Sequence, residues 1–313
     1  MSTNPEPLIR NPQSAIRNPR WFAATAVLAY VLVLFSLGKT GWQHLGLLAL
    51  LWACLSRREG PNRFLRDWWP FILFWLSYDV MRVFGANLIH RVSVEPPLRW
   101  ESSLFLSPEG VIWPFFFSHW IASHGSGFGP RLLIGCCSFI YLSQLFAIPA
   151  TILLIWHRRR SLLFRRLLWS FTLLHILTLC IYIGYPAAPP WWVFENGLAK
   201  PTLQHSMPVG FPTGSTLAGL FHLSPNRFAA IPSLHGAYPL LFMLVLAMHG
   251  VRTRWIWISA LYSASMWFAC VFLNQHYIVD LLIGAALVVI ALPAAAKAGI
   301  RYSEVDSGQR SQL

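Results

Sequence analysis

The sequence predicts an all-α membrane protein: a polytopic helix bundle with a six-helix core and an N-terminal helical hairpin, about eight transmembrane helices in all. Three observations predict this class. The 313 residues are 56% hydrophobic, and their mean hydropathy is +0.51. Only 11% of them are charged, whereas a soluble domain carries about a quarter. Apolar runs long enough to approach or cross a bilayer recur along the whole chain.

Eight apolar segments follow one another along the chain. They are 21–38, 42–56, 68–84, 131–156, 167–187, 232–250, 254–273 and 276–296. About 20 residues cross a bilayer as a helix, so the second segment is short for a span. No convincing cleavage site follows the first segment, which predicts a retained helix and not a signal peptide. The predicted divisions are a disordered cytoplasmic leader at 1–20, the hairpin at 21–56, the main membrane domain at 68–296 and a cytoplasmic tail at 297–313.

The basic residues set the predicted orientation, because cytoplasmic loops are rich in Lys and Arg. With a cytoplasmic N-terminus, seventeen of the 24 Lys and Arg residues fall on the inner side, most densely at 158–166. Two long loops, about 85–130 and 188–231, then lie outside. Since the cations form short clusters between apolar runs, the net charge of +13 favours membrane topology over a nucleic-acid-binding face. We therefore expect no nucleic-acid partner.

His276 and Asp280, in "NQHYIVD", open the last apolar segment with i, i+4 spacing. On a helix this spacing places both side chains on one face, one turn apart. The carboxylate of Asp280 can then accept the Nδ1–H of His276 at about 2.7–3.2 Å, which leaves a basic lone pair on Nε2. A carboxylate inside a membrane needs a partner in any case, so a purely structural His–Asp pair is the alternative.

A second polar group opens the sixth segment, in "AAIPSLHGAYP". Pro232 suits the first turn of a helix. The backbone N–H groups that follow it lack intrahelical partners, and together with the hydroxyl of Ser233 they form a candidate anion site. His235 lies beside this site, on the same predicted membrane face as His276. The alternative is a Ser233 that caps the helix and a His235 at the interface.

Two histidines around an anion site indicate phosphoryl transfer through a covalent phosphohistidine. We expect His276 to attack phosphorus. His235 would protonate the leaving oxygen and then act as a base on the acceptor. Ser233, the helix N-terminus and nearby cations would stabilise the phosphoryl oxygens. The two rings are therefore expected to lie on opposite sides of one pocket.

A metal site has little support in the sequence. The five cysteines all lie inside apolar runs without a CxxC pair, which predicts small core residues. There is no HExxH motif and no dense carboxylate cluster. The acidic residues on or near the outer side are Asp79, Glu95, Glu101, Glu109, Glu195 and Asp280. We expect neither a metal nor another cofactor.

Three further residues are candidate substrate contacts besides Ser233. Asp79 and Arg82, in "YDVMR", are spaced i, i+3 near the outer end of the third segment. An intramembrane ionisable pair is a functional candidate, and a packing ion pair is the alternative. Arg227 precedes the anion site and is either a phosphate ligand or a loop cation.

These motifs resemble those of a known family. "IPSLHGAYP" and "NQHYIVD" are similar to the second and third motifs of the type 2 phosphatidic acid phosphatase superfamily, whose pattern is PSGH and then a His followed four residues later by an Asp. Here Leu234 stands where the phosphatases usually carry Gly, and Ala269 and Cys270 stand where they carry a Ser-Arg pair. The first motif of the phosphatases, which bears Lys and Arg, is also missing.

With these departures the chain resembles the branch of inositol phosphorylceramide synthase. That branch carries PSLH, HYxVD and YPxAPPW, the last matched by Tyr185–Trp191, and bacterial members carry a YDxxR-like segment, matched by Tyr78–Arg82. The resemblance covers the main membrane domain. It implies His235, His276 and Asp280 as the catalytic triad, with His276 as the nucleophile, and lipid phosphoryl or phospho-alcohol transfer outside the cytoplasm.

The favoured function is thus a membrane phosphotransferase that moves a phospho-headgroup between a lipid and an alcohol or lipid acceptor. Two alternatives stay open: a lipid or polyprenyl phosphate phosphatase, and a transporter or non-catalytic membrane scaffold. Inverted repeats or broken helices at the midplane would favour a transporter, whereas the polar residues here gather at one interface. The expected partners are the bilayer and a lipid phosphate. The expected location is a bacterial plasma membrane, with the site on its extracytoplasmic face.

Overall fold

The computed structural model describes residues 19–36, 38, 61–158, 161–196 and 228–310. These residues form ten α-helices and one 3₁₀ helix, and no strand, so the all-α class is confirmed. The helices are α1 (Pro19–Ser36), α2 (Pro61–Phe84), α3 (Glu95–Leu104), α4 (Trp113–His124), α5 (Phe128–His157), α6 (Ser161–Gly184), α7 (Pro190–Glu195), α8 (Leu234–Met248), α9 (Thr253–Phe272) and α10 (Ile278–Arg310). The 3₁₀ helix, Gly85–Arg91, follows α2.

The chain divides into two compact units, residues 1–69 and 70–313. The first contains α1, on which Leu32 and Phe35 are exposed, and the beginning of α2. The predicted segment 42–56 lies outside the described residues. The second unit contains the rest of α2 and all the later helices.

Three helices of the described part are long and apolar enough to cross a membrane: Phe128–His157, Leu162–Gly184 and Thr253–Phe272. Two further apolar stretches, Leu234–Met248 and Ile278–Ala294, are shorter. All five coincide with predicted segments. These five apolar helices are fewer than the eight expected spans, so the count of eight stays a prediction.

The helices expose large apolar side chains on their outer surfaces. Phe139 on α5, Trp257 and Leu261 on α9, and Val289 on α10 are each more than 60% exposed. A soluble protein rarely shows such surfaces over neighbouring helices. Helices that are apolar all round are typical of a membrane environment, and the fold is that of a membrane protein.

Helix α8 lies at the centre of the second unit and packs against α5, α6, α9 and α10. Its Leu241 is fully buried. Close approach to α10 depends on Gly284, where a Cβ atom would lie 2.6 Å from the carbonyl oxygen of Ser233. This packing brings the first turn of α8 against the first turns of α10.

Connecting segments meet where α8 and α10 begin. The N–H of Ser93 donates to the carbonyl oxygen of Pro186 at 2.8 Å, and the N–H of Ala188 donates to Ser93 at 3.0 Å. The N–H of Ala187 donates to the carbonyl oxygen of Phe228 at 3.0 Å. These bonds form isolated bridges that join segments of both predicted outer loops. The end of the bundle that carries the predicted site is thereby held by backbone contacts from distant parts of the chain.

Candidate active site

The structure brings His235 and His276 together from the starts of two different helices. His235 lies in the first turn of α8, and His276 comes two residues before α10. Their ring centroids are 5.8 Å apart, with 44° between the ring planes. His276 is buried and His235 is half-buried. The two side chains can therefore contact groups around a single phosphorus atom.

The surroundings of His276 determine which ring nitrogen carries the proton. Nδ1 lies 3.1 Å from the carbonyl oxygen of Ala230 and 3.4 Å from Oδ2 of Asp280. Both oxygens are acceptors in an ionised site, so Nδ1 carries the hydrogen and Nε2 keeps its lone pair. The distance from Nδ1 to Asp280 exceeds the expected 2.7–3.2 Å, because the carbonyl oxygen of Ala230 is the nearer acceptor. The spacing of residues in the sequence did not predict the contact with Ala230.

Asp280 is fully buried and serves two groups. Its Oδ2 accepts the N–H of Tyr277 at 2.9 Å, the reach-back half of a capping box, and also faces Nδ1 of His276. Its Oδ1 has no hydrogen-bond partner among the described residues. The carboxylate therefore links the start of α10 to the ring of His276.

Ser233 is the N-cap of α8. Its Oγ accepts the N–H of Gly236 at 3.2 Å, and its own N–H donates to the carbonyl oxygen of Asp280 at 3.0 Å. Capping was the alternative interpretation of this serine, and the structure supports it, since Ser233 is fully buried. The N–H groups of Leu234 and His235 belong to the same first turn and have no intrahelical acceptor. That of Leu234 is directed at the hydroxyl oxygen of the buried Tyr182 on α6.

Helix α5 supports His235 through two residues that the motifs did not reveal. The ring of Tyr141 stacks on His235, with centroids 4.0 Å apart and 13° between the planes. Nε2 of Gln144 donates to the carbonyl oxygen of Leu234 at 3.3 Å. In the sequence, Tyr141 and Gln144 are two polar residues spaced i, i+3 inside an apolar segment. This spacing places them on one face of the helix, which favours a face turned toward the inside of the bundle.

Glu101 is a site residue that the sequence showed only as an acid near the outer side. It lies on α3, is fully buried, and accepts the N–H of Ile278 through Oε1 and that of Val279 through Oε2, both at 3.0 Å. Burial raises the pKa of Glu101 to about 7, the two hydrogen bonds oppose this shift, and the charge of Asp280 adds to it. Glu101 lies 177 residues before Ile278 in the sequence, so no helical spacing could have predicted this contact.

Of the three remaining predicted substrate contacts, the structure describes the side chain of one, Asp79. Asp79 is buried on α2. The ring of its neighbour Tyr78 lies 6.3 Å from that of His175 in the bundle. Arg82 belongs to α2, but its side chain lies outside the described residues, as does Arg227. Their contacts with substrate stay predictions.

The four cysteines of the described residues are not in disulfides. Cys137 and Cys270 are buried in the core, as predicted. Cys136 and Cys180 are exposed, so the prediction that all are core residues is wrong for these two. An apolar helix turned toward lipid accepts a small apolar side chain on its outer surface, which composition alone does not distinguish from a core position.

Comparison with protein families decides the assignment. A model described as the PAP2 superfamily matches residues 98–294, more than half of the chain. The chain belongs to the PAP2 superfamily. His235, His276, Asp280 and Glu101 all lie inside the matched range. The protein is therefore an enzyme of the phosphotransferase or phosphatase kind that this superfamily contains.

Curated relatives confirm the predicted branch. The chain is 27% identical over 232 residues to the phosphoinositol dihydroceramide synthase of Bacteroides thetaiotaomicron, which covers 69% of this chain and 71% of that protein. It is 31% identical over 126 residues to an inositol phosphorylceramide synthase of Candida albicans, 38% of this chain and 26% of that protein. It is 30% identical over 110 residues to the inositol phosphorylceramide synthase catalytic subunit of Saccharomyces cerevisiae, and this match covers 33% of this chain and 27% of that protein. The chain thus spans about a quarter of these fungal relatives. No solved structure matches it significantly.

Proposed function

We propose that this protein transfers a phospho-headgroup from a lipid donor to an alcohol or lipid acceptor through a phosphohistidine at His276. The observation that carries the proposal is the pairing of His235 and His276, with ring centroids 5.8 Å apart. Two acceptors fix the proton on Nδ1 of His276, which makes Nε2 the nucleophile. Asp280 faces the imidazolium-like charge that develops on the ring.

In the first half of the reaction, the lone pair on Nε2 of His276 attacks the phosphorus of the donor. The N–P bond forms while the bond from phosphorus to the leaving lipid oxygen breaks. His235 gives its proton to that oxygen. The N–H of His235 at the start of α8 stabilises the phosphoryl oxygens.

In the second half, the acceptor hydroxyl gives its proton to the neutral ring of His235. The acceptor oxygen attacks phosphorus, the N–P bond breaks, and the electron pair returns to Nε2 of His276. Both histidines are then in their starting forms. With water as the acceptor the same steps amount to hydrolysis, so the second substrate decides between transferase and phosphatase.

The names of the curated relatives favour an inositol phosphate headgroup and a ceramide-type acceptor. The departures of this chain from the phosphatase motifs agree with that choice, including Leu234 in place of the usual Gly. Asp79, Arg82 and Arg227 are proposed to contact the headgroup or its phosphate.

The test is a product analysis. Purified protein in lipid nanodiscs is incubated with head-group-labelled phosphatidylinositol and other phospholipids, with and without ceramide and long-chain alcohols. The proposal expects a new labelled phosphodiester that requires the acceptor. Water-soluble labelled headgroup phosphate without a new lipid would indicate a hydrolase, and the absence of any product from all donors would contradict enzymatic transfer.

We further propose eight membrane spans, with the site at the extracytoplasmic face of a bacterial plasma membrane. The distribution of basic residues supports this orientation. Glu109 lies exposed between α3 and α4, and Arg158 lies exposed at the end of α5. A membrane-impermeant thiol reagent should label Glu109→Cys in intact cells and Arg158→Cys only after permeabilisation. The reverse pattern would exclude the orientation.

A further inference from the structure

The first turn of α10 is capped by carboxylates from two helices. The first N–H groups of a helix have no intrahelical partners and need others. Oδ2 of Asp280 accepts the N–H of Tyr277 at 2.9 Å. Glu101, on α3, accepts the next two, from Ile278 and Val279, each at 3.0 Å. The helix that carries Asp280 is therefore held by a side chain from another helix.

This cap has an electrostatic cost. Glu101 is fully buried, and its carboxylate lies close enough to Asp280 for the two charges to repel. A neutral Ser or Asn at the cap position would accept first-turn N–H groups without a second buried carboxylate. That position holds Tyr277, which is fully buried and packs with Ile112 and Ala188 instead. Because Tyr277 offers no such acceptor, these N–H groups need a cap from another helix, and the two oxygens of Glu101 serve two of them at once.

The position of this first turn decides how His276 is held. Nδ1 of His276 lies between two acceptors, the carbonyl of Ala230 at 3.1 Å and Oδ2 of Asp280 at 3.4 Å. A shift of a few tenths of an ångström in α10 makes or breaks the bond to Asp280, since hydrogen bonds weaken steeply beyond about 3.2 Å. Within the described residues, Glu101 holds this turn from outside the helix through its two hydrogen bonds.

We propose that Glu101 is a positioning residue for the reaction: by accepting the N–H groups of Ile278 and Val279, it sets the distance from Asp280 to His276 and the direction of the Nε2 lone pair. The proposal rests on the proposed role of His276 as the nucleophile. Glu101 does not touch the reacting atoms and acts through α10.

The first test compares Glu101→Gln with Glu95→Gln. The amide of Gln keeps the size of the side chain but offers only one acceptor atom, so one N–H loses its partner. Glu95 lies on the same helix but is exposed and paired with Arg99, which makes it the matched control. In the transfer assay, E101Q should lower kcat about 10- to 100-fold with KM within about twofold, and E95Q should change neither. Unchanged kcat in E101Q, or a rise in KM alone, would overturn the proposal.

A second variant covers the case in which E101Q does not fold. Glu101→Asp keeps the charge but shortens the side chain by one methylene. It should give a kcat between those of wild type and E101Q, because it still accepts one of the two N–H groups well. Wild-type kcat in E101D, with a wild-type thermal midpoint, would count against positioning by Glu101.

A third arm needs no substrate and separates this proposal from the proposed function. Protein labelled with ¹⁵N-histidine is compared by NMR, and the ring signals of His276 are assigned with His276→Ala. Wild type should show hydrogen on Nδ1, and E101Q should shift both ring nitrogens of His276, whereas E95Q should not. If wild type makes no product but E101Q still shifts these signals, the proposed function fails and the positioning role stands. Identical His276 signals in wild type and E101Q would refute the positioning role whatever the activity.

Discussion

The ring of Tyr141 stacks on the ring of His235 at a centroid distance of 4.0 Å, with the planes only 13° apart. Tyr141 comes from the middle of α5, and His235 opens α8. The stacked ring restricts rotation of the imidazole and leaves its edge directed toward other groups. His235 is thus held by an aromatic face, and His276 by hydrogen-bond acceptors.

Removing the stacked ring is expected to slow the proton transfers of His235. Tyr141→Phe keeps the aromatic face and should retain activity within about threefold. Tyr141→Leu removes the ring contact, which is worth about 0.5–1.5 kcal/mol, and should lower kcat about 2- to 12-fold. Steady-state kinetics on the two variants, with thermal midpoints as a folding control, checks this. Equal activity of the Leu and Phe variants would show that stacking is irrelevant.

Gly284 lets α10 approach the start of α8. A Cβ atom there would lie 2.6 Å from the carbonyl oxygen of Ser233, which is backbone and cannot move aside cheaply. Gly284→Ala should destabilise the protein by about 1–3 kcal/mol and reduce activity by displacing the first turn of α10.

Gly135, on α5, is the control for that substitution. It is exposed, and its added Cβ would meet nothing within 4 Å. Gly135→Ala should be neutral or stabilising by up to about 1 kcal/mol. Thermal unfolding in one detergent measures both variants, and a Gly284→Ala midpoint at or above that of Gly135→Ala would contradict the close packing.

The sequence predicted the helices well because their signal is local. Each of the five later apolar segments corresponds to a helix, and four of these helices have ends within six residues of those expected, for example Thr253–Phe272 against 254–273. The last helix continues to Arg310, well beyond the expected end at 296. The loops were harder to predict. Helix α3 is short and polar, and its place against α10 depends on contacts with residues more than 170 positions away.

In the candidate site, too, local contacts could be predicted from the sequence and long-range contacts could not. His276 and Asp280 share one helix start, so their spacing was informative. The PSLH motif indicated a helix N-terminus, although Pro232, expected in the first turn, lies before the N-cap Ser233. Glu101 reaches the site through tertiary packing alone, and Tyr141 through the face that α5 turns inward. Neither contact leaves a periodic signal in the sequence.

Stability should depend on pH through Glu101. Its pKa rises from the ordinary value of 4.5 to about 7 in the folded protein, so between these values the folded state binds more protons than the unfolded state. The contribution of this group to stability therefore falls as pH rises from about 4.5 to 7. Asp280 on α10 and the phenol of Tyr277, one residue before α10, interact with it electrostatically, whereas Glu95 and Arg99 on its own helix are exposed and paired with each other.

Glu101→Gln cannot ionise and should flatten this dependence. The measurement is the thermal midpoint of wild type and variant at several pH values across that window. Wild type should lose stability relative to the variant as pH rises. Parallel curves would show that Glu101 keeps the same pKa in the folded and unfolded states.

Asp280→Asn should lower kcat while the fold persists. The amide can turn its NH₂ group toward Nδ1 of His276, which favours the tautomer with hydrogen on Nε2 and removes the nucleophilic lone pair. Because the carbonyl of Ala230 also accepts from Nδ1, the expected loss is about 100-fold, less than for removal of His276. Single-turnover kinetics with labelled donor lipid tests this, and wild-type rates in the Asn variant would exclude a role for the carboxylate in catalysis.

The most direct measurement of the central claim is the intact-protein mass after a brief reaction with donor lipid and no acceptor. Wild type should gain an acid-labile adduct with the mass of the phospho-headgroup, located at His276 by peptide sequencing. His235→Ala should accumulate the same adduct slowly, and His276→Ala should form none. Turnover by His276→Ala at the wild-type rate, or an equal adduct on that variant, would contradict a phosphohistidine at His276.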